Sequence, residues 1–190
     1  MDNIILVGFG GHAKSLADSI KRGNTYNIVG YTDIEDKNES EYCYLGTDDV
    51  LQEYYHKGIQ YAIIGLGYLG KGNTREMLYN RLKKIGYELP VIIDPSAIVS
   101  NTASLGEGTF IGKAAIINAH VKIGNAVIVN TGAIVEHECE IDDFSHIAVS
   151  TVLCGNVKIG RSSFVGANAT VIQDMELRSG SIVPAGETVR

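Results

Sequence analysis

One period constrains this chain more than any other feature. From Val99 to Val183 every sixth residue is aliphatic: Val99, Leu105, Ile111, Ile117, Ile123, Val129, Val135, Ile141, Ile147, Leu153, Ile159, Val165, Val171, Leu177, Val183. The phase never slips. A six-residue repeat matches neither the 3.6-residue turn of a helix nor the two-residue alternation of a simple strand. It fits a parallel β-helix, in which each hexad is one short strand plus a corner. Three hexads close a triangular coil, so the run makes five coils. The aliphatic residue points inward. The next residue is often small or polar (Gly106, Gly112, Asn118, Gly124, Gly160, Gly166), and the repeat predicts the sharp corner there.

The segment before the repeat reads differently. Ile4-Ile5-Leu6-Val7 is a continuous apolar run of the kind found in buried parallel strands. It ends in Gly8-Phe9-Gly10-Gly11-His12, and 13–22 reads as a helix closed by Gly23. A second strand spans 26–31 and ends at Thr32-Asp33, followed by a polar loop over 34–42. A helix opening at Asp48-Asp49 runs to about residue 57. A third strand covers 61–64, a helix capped by Asn73 or Thr74 runs to Lys84, and a last strand covers 89–93. Strands alternating with helices predict a small Rossmann-like α/β domain with a parallel sheet over 1–94. Asp94-Pro95 breaks the pattern, and the β-helix is assigned 95–190.

Composition removes several function classes. The chain has 190 residues, a formal net charge of −6 and no basic run, which argues against nucleic acid as a partner. No apolar stretch is long enough to span a bilayer, so no membrane association is expected. The first residues lead directly into a strand and do not read as a secretory leader. Cys43, Cys139 and Cys154 are isolated, which points to reduced thiols and a cytoplasmic protein.

Chemistry is legible at three places. In the first turn, Gly10 and Gly11 let backbone approach a phosphate at the helix N-terminus, with His12 beside them and Asp33 placed to bond a ribose. The same turn also fits a strand-to-helix connection with no ligand, or a dinucleotide. Residues eighteen apart stack on adjacent coils, so Lys122, Glu140 and Lys158 form a surface ladder. His146 interrupts an apolar column of Phe110, Ile128 and Phe164, as a structural or a functional histidine. Glu136-His137-Glu138 follows the inward residue Val135, so His137 and Glu138 lie at a corner and point away from the rod. An imidazole beside a carboxylate is a general-base arrangement, and the same residues also fit a solvated acidic corner. His120 lies eighteen before Glu138 and can meet it. His120, His137 and His146 show no recognisable ligand spacing, and no metal is expected.

These segments together resemble the bacterial sugar O/N-acyltransferases of the hexapeptide-repeat, left-handed β-helix superfamily. The resemblance rests on Gly8-Phe9-Gly10-Gly11-His12-Ala13, Gly30-Tyr31-Thr32-Asp33 and the block from Asn130 to Cys139. It continues through Asp143-Phe144-Ser145-His146 and Cys154 to Gly160. Within that family the sequence is most similar to the acetyl-CoA-dependent N-acetyltransferases of nucleotide-linked 4-amino sugars. Sialic-acid O-acetyltransferases belong to the same wider family.

The resemblance implies a fold, a reaction and roles. The β-helix is left-handed, and the protein is a homotrimer with active sites between subunits. Acetyl-CoA is the co-substrate, a nucleotide sugar the acceptor, and the products feed glycan biosynthesis. His137 matches the general base and Glu138 the carboxylate that assists it. His146, Gly155 and Ala167 match the acetyl-CoA contacts, and Asn130 lies on the same wall. Gly10, Gly11, His12 and Asp33 match the nucleotide-sugar pocket. Two departures stand out. Asp33 is followed by Ile34 where the family often has a second acid, and the family's Gly-x-Pro-Ala-Lys tail does not follow, which removes part of the expected CoA pocket. Acetylation of a sugar hydroxyl is the runner-up activity, and a non-catalytic, nucleotide-sensing trimer is the alternative of another class.

Overall fold

The computed structural model describes residues 1–38 and 41–190. The polar loop assigned to 34–42 includes residues 39 and 40, which lie outside the described residues. The chain divides into two compact units, Met1–Gly67 with Asn73–Pro90, and Tyr68–Gly72 with Val91–Arg190.

The first unit contains β1 (Asp2–Val7), α1 (Gly11–Gly23), β2 (Tyr26–Thr32), β3 (Tyr44–Gly46), α2 (Leu51–His56), β4 (Tyr61–Ile64) and α3 (Thr74–Ile85). Its sheet is parallel, in the order β3-β2-β1-β4. The central position of β1 explains its unbroken apolar run, since Ile4, Ile5, Leu6 and Val7 are all fully buried. Helix α1 buries Ala13, Leu16, Ala17 and Ile20, and ends where Asn24 turns left-handed at φ 51°. Three expectations change. β3 is an unpredicted edge strand of three residues, too short to leave a pattern. The helix assigned from Asp48 starts as a 3₁₀ turn, Asp48–Val50. The strand assigned to 89–93 shrinks to Ile92–Ile93, which pairs with Phe110–Ile111 and opens the second unit, and just before it Glu88 makes an isolated bridge to Tyr61.

The second unit is the left-handed β-helix. Its strands are two residues long and form three parallel sheets of 5, 6 and 6 strands, each strand pairing with the one eighteen residues on. The ladder therefore runs beyond the repeat, from Ile92–Ile93 to Thr188–Val189. The aliphatic residues fill the interior as predicted. A second inward position, two residues earlier, is also filled: Ala115, Val121, Val127, Ala133, Cys139, Val157 and Ala169 are buried there. Where it is a hydroxyl, it bonds backbone one coil away, as Thr109 Oγ1 does to Gly124 O (2.9 Å) and Ser145 Oγ to Gly160 O (3.1 Å).

The corner lies elsewhere than predicted. Left-handed backbone recurs three residues after each aliphatic one from Leu105 on, at Gly108, Ala114, His120, Ala126, Gly132, Glu138, Phe144, Ser150, Asn156, Ser162, Asn168, Asp174, Gly180 and Gly186. The glycine directly after the aliphatic residue has a different task. A Cβ at Gly106 would lie 2.5 Å from the Gly124 carbonyl, and one at Gly160 2.4 Å from Ser179 N. Those positions are small because the next coil stacks on them.

The three outer faces differ. One carries Ser104, Lys122, Glu140, Lys158 and Glu176 in register. Lys122 Nζ donates to Glu140 Oε1 (2.9 Å), which holds that carboxyl below its ordinary range. A second face carries Ile98, Ile116, Ile134, Val152, Thr170 and Thr188. The third carries Ile92, Phe110, Ile128, His146, Phe164 and Ile182. Segment Tyr68–Gly72 lies on this third face, where a Cβ at Gly70 would meet Ile182 at 2.8 Å and Phe164 Cβ at 3.2 Å. Among the described residues no helix is long and apolar enough to cross a membrane.

Candidate active site

His137 stands one residue before the left-handed corner. Glu138 occupies that corner at φ 61°, and the local chain is pinned by Glu138 N to Ala119 O (2.9 Å) and Asn156 N to His137 O (2.9 Å). Both side chains are more than half exposed. His137 Nδ1 and Glu138 Oε2 are 3.1 Å apart. A carboxylate only accepts, so in the neutral ring Nδ1 carries the proton and Nε2 keeps its lone pair. That Nε2 edge lies over Gly155 on the next coil, where a Cβ would sit 2.6 Å from both Cε1 and Nε2. The imidazole uses the space that a side chain at 155 would fill. The Gly155 N–H has no acceptor among the described residues, while its carbonyl takes Asp174 N–H (3.1 Å).

The sequence reading missed Asn118, whose Nδ2 donates to Glu136 Oε2 (2.9 Å) directly beside His137. The eighteen-residue stacking rule carries that signal. His120 is on the same column as Glu138, but its backbone N–H goes to Thr102 Oγ1 (3.0 Å) and no hydrogen bond joins it to Glu138. Among the described residues no three His, Cys, Asp or Glu side chains form a group that could hold a metal ion. Cys139 is interior, its thiol donating to Cys154 O (3.1 Å), and burial pushes it up to about 11. It is an inert neutral thiol at neutral pH.

Asn130, His146 and Ala167 belong to a different part of the prism. His146 is on the third face and nearly buried, at 6% exposure. Asn130 Nδ2 reaches its Nε2 at 3.2 Å, and Phe164 packs edge-on against the ring at 5.3 Å. Ala167 follows the same face at the next corner, with its carbonyl on Gly186 N–H (2.8 Å). One chain therefore separates these residues from His137, Glu138 and Gly155.

In the first unit, the chain leaves the ends of β1, β2 and β4 side by side, where open α/β sheets hold ligands. Two glycines there are structural: a Cβ at Gly8 would strike Leu66, and one at Gly65 would lie 2.2 Å from Gly8 O. Gly10 and Gly11 are not, because an added Cβ meets nothing within 4 Å at either. Gly10 caps α1 and has no side chain to bond the helix N-terminus, leaving that end open. His12 is half-buried beside Gly67. Asp33 is engaged: Oδ2 accepts Phe9 N–H (2.8 Å), Oδ1 accepts Ile34 N–H (2.7 Å), and Lys37 Nζ lies 3.3 Å away. Burial raises its carboxyl, but those two N–H groups and Lys37 together outweigh it and hold the group below the ordinary aspartate range.

Residues 3–82 match the PglD N-terminal domain. The whole chain superposes with TM-score 0.94 and 28% identity on a variant of GDP-perosamine N-acetyltransferase from Caulobacter crescentus, solved with CoA and GDP-perosamine, of which it spans 89%. The chain is thus similar over its full length to a sugar N-acetyltransferase. It is also similar to the acetyltransferase domain of PglB from Neisseria gonorrhoeae, at TM-score 0.91 and 29% identity over 100% of this chain and 92% of that one. That domain has also been solved with acetyl coenzyme A. A sequence comparison with curated proteins returned no match.

Proposed function

We propose that this protein moves an acetyl group from acetyl-CoA to the amine of a nucleotide-activated amino sugar. The observation that carries the reading is the corner itself: an oriented, half-exposed imidazole directly over a glycine with an unengaged N–H. The likeness to GDP-perosamine N-acetyltransferase supports an amine as the acceptor. Gly10, Gly11 and His12 take the nucleotide sugar, with Asp33 beneath the turn, and acetyl-CoA lies along the rod beside Ala167, His146 and Asn130.

His137 Nε2 accepts a proton as the sugar amine attacks the thioester carbonyl. Glu138 keeps the proton on Nδ1 and stabilises the imidazolium that forms. The Gly155 N–H donates to the developing oxyanion. The tetrahedral intermediate then collapses, the C–S bond breaks, and the imidazolium returns its proton to the departing sulfur. The amide forms without a covalent enzyme intermediate.

The active protein in this reading is a homotrimer. The face of Ile98, Ile116, Ile134 and Val152 is an aliphatic column beside the His137 corner, whereas the charged face has none. A neighbour on that column supplies the Asn130 and Ala167 wall that one chain keeps apart from His137. The test is release of CoA thiol from acetyl-CoA with a panel of nucleotide-linked amino sugars and their hydroxy counterparts. Turnover with an amino sugar supports the proposal. Turnover confined to hydroxyl acceptors, or none at all, overturns it.

A further inference from the structure

His146 sits in a chain of hydrogen bonds whose every direction is fixed by chemistry. Its Nδ1 lies 2.6 Å from the Tyr68 carbonyl, which can only accept, so Nδ1 carries the proton. At the other end, Asn130 Oδ1 accepts the Thr131 N–H at 2.8 Å, which orients that amide. Its Nδ2 therefore faces His146 Nε2, 3.2 Å away, and donates to it. A neutral Nδ1–H imidazole satisfies both neighbours at once, and the opposite tautomer satisfies neither. Asn130 Nδ2 carries two hydrogens, and only one is used here.

Tyr68 is itself pinned. Its ring is 9% exposed, and its hydroxyl donates to Ser162 O at 2.8 Å, ninety-four residues along the chain. The two carbonyls, of Ser162 and Tyr68, tie the third face to a segment that enters the second unit for only five residues, Tyr68–Gly72. No repeat position predicts this contact.

We propose that Tyr68 is a positioning residue for the acetyl transfer. Anchored through its hydroxyl, it presents its carbonyl to His146, fixes the Nδ1–H tautomer, and thereby holds the Asn130 amide with its second N–H turned to a ligand carbonyl. His146, nearly buried, is thereby held in one orientation beside the acetyl-CoA path. This inference rests on the proposed function for what the Asn130 N–H binds, and the tautomer is independent of it.

The test uses the full-length protein labelled with ¹⁵N and long-range proton–nitrogen correlation of its imidazoles, His146 being assigned by loss of its signals in His146→Asn. Wild type should show a pyrrole-like Nδ1 and a pyridine-like Nε2. Tyr68→Phe removes the Ser162 bond alone. It should show the second tautomer appearing, and kcat/KM should fall about tenfold, the equivalent of one ordinary hydrogen bond. An Nε2–H tautomer in wild type overturns the proposal. So does a folded Tyr68→Phe with unchanged imidazole signals and unchanged kcat/KM. If Tyr68→Phe fails to fold, the wild-type spectrum alone decides. A wild type that shows the Nδ1–H tautomer and no transfer to any amino sugar counts against the proposed function, and the spectrum still upholds the fixed ring.

Discussion

His137 projects outside the interior of the rod, so its loss removes no buried methylene and opens no cavity. His137→Ala should leave the melting temperature nearly unchanged and lower kcat/KM by about 10²–10⁴-fold, the usual contribution of a general base. Glu138→Gln keeps the shape and removes the charge that favours imidazolium, so its loss should be smaller. Steady-state kinetics beside thermal melts check both, and a stable His137→Ala with normal turnover would remove the base from the mechanism. Gly155→Ala probes the same space from the next coil. The new methyl must push the ring off its position, since 2.6 Å is far inside contact distance. The ring is the mobile partner, so stability should change little while activity falls towards the level of His137→Ala. Equal activity in Gly155→Ala and wild type would mean that the ring does not work where it lies.

At the scale of elements, the glycine-rich turn is held by the end of β2. Asp33 bonds the Phe9 N–H inside that turn, so its ionisation is tied to folding of the first unit. Its folded-state carboxyl lies below the ordinary aspartate value, near 4. Such a group contributes stability that is present above the unfolded value and is lost as pH falls through the folded one. The melting temperature of wild type should therefore drop more steeply below about pH 4 than that of Asp33→Asn. Parallel curves for the two proteins would show that the bond carries no stability. The sequence foretold this turn, both sheet-flanking helices α1 and α3, and the inward aliphatic residue of each coil, because each depends on a short-range period or cap. It misplaced the corner of the coil. The residue after each aliphatic one is small because the next coil stacks on it, and sequence alone does not separate that demand from a need for left-handed backbone. It also assigned Ile92–Ile93 to the first unit's sheet, because the apolar run there reads as an α/β strand, although Ile93 lies eighteen before Ile111 and in phase with the repeat.

For the whole molecule, the legible part of the site is the part that stacking fixes. His137, Gly155, Asn118 and Glu136 lie eighteen residues from one another or adjacent, so the repeat alone aligns them. Tyr68 meets His146 across seventy-eight residues with no period to announce it. The last step, assembly, follows from how the outer faces differ. Ile98 is 65% exposed, and Ile116, Ile134 and Val152 on the same face are only half-buried, an aliphatic column with water on it in one chain. Covering such a column gains about 25 cal/mol for each Å² removed from water. Three copies can close around it by symmetry, each covering its neighbour's column. Ile134→Glu places a charge in the middle of that column and should turn a trimer into monomers in light scattering at micromolar concentration. The interior residue Val135 is untouched, so the monomer should keep its β-sheet circular dichroism while losing acetyl transfer, because His137 no longer meets an Asn130 wall. Lys158→Glu, on the charged face, should leave both mass and activity near wild type. A wild type that is monomeric and fully active, or an Ile134→Glu that remains trimeric, would show that this face does not build the site.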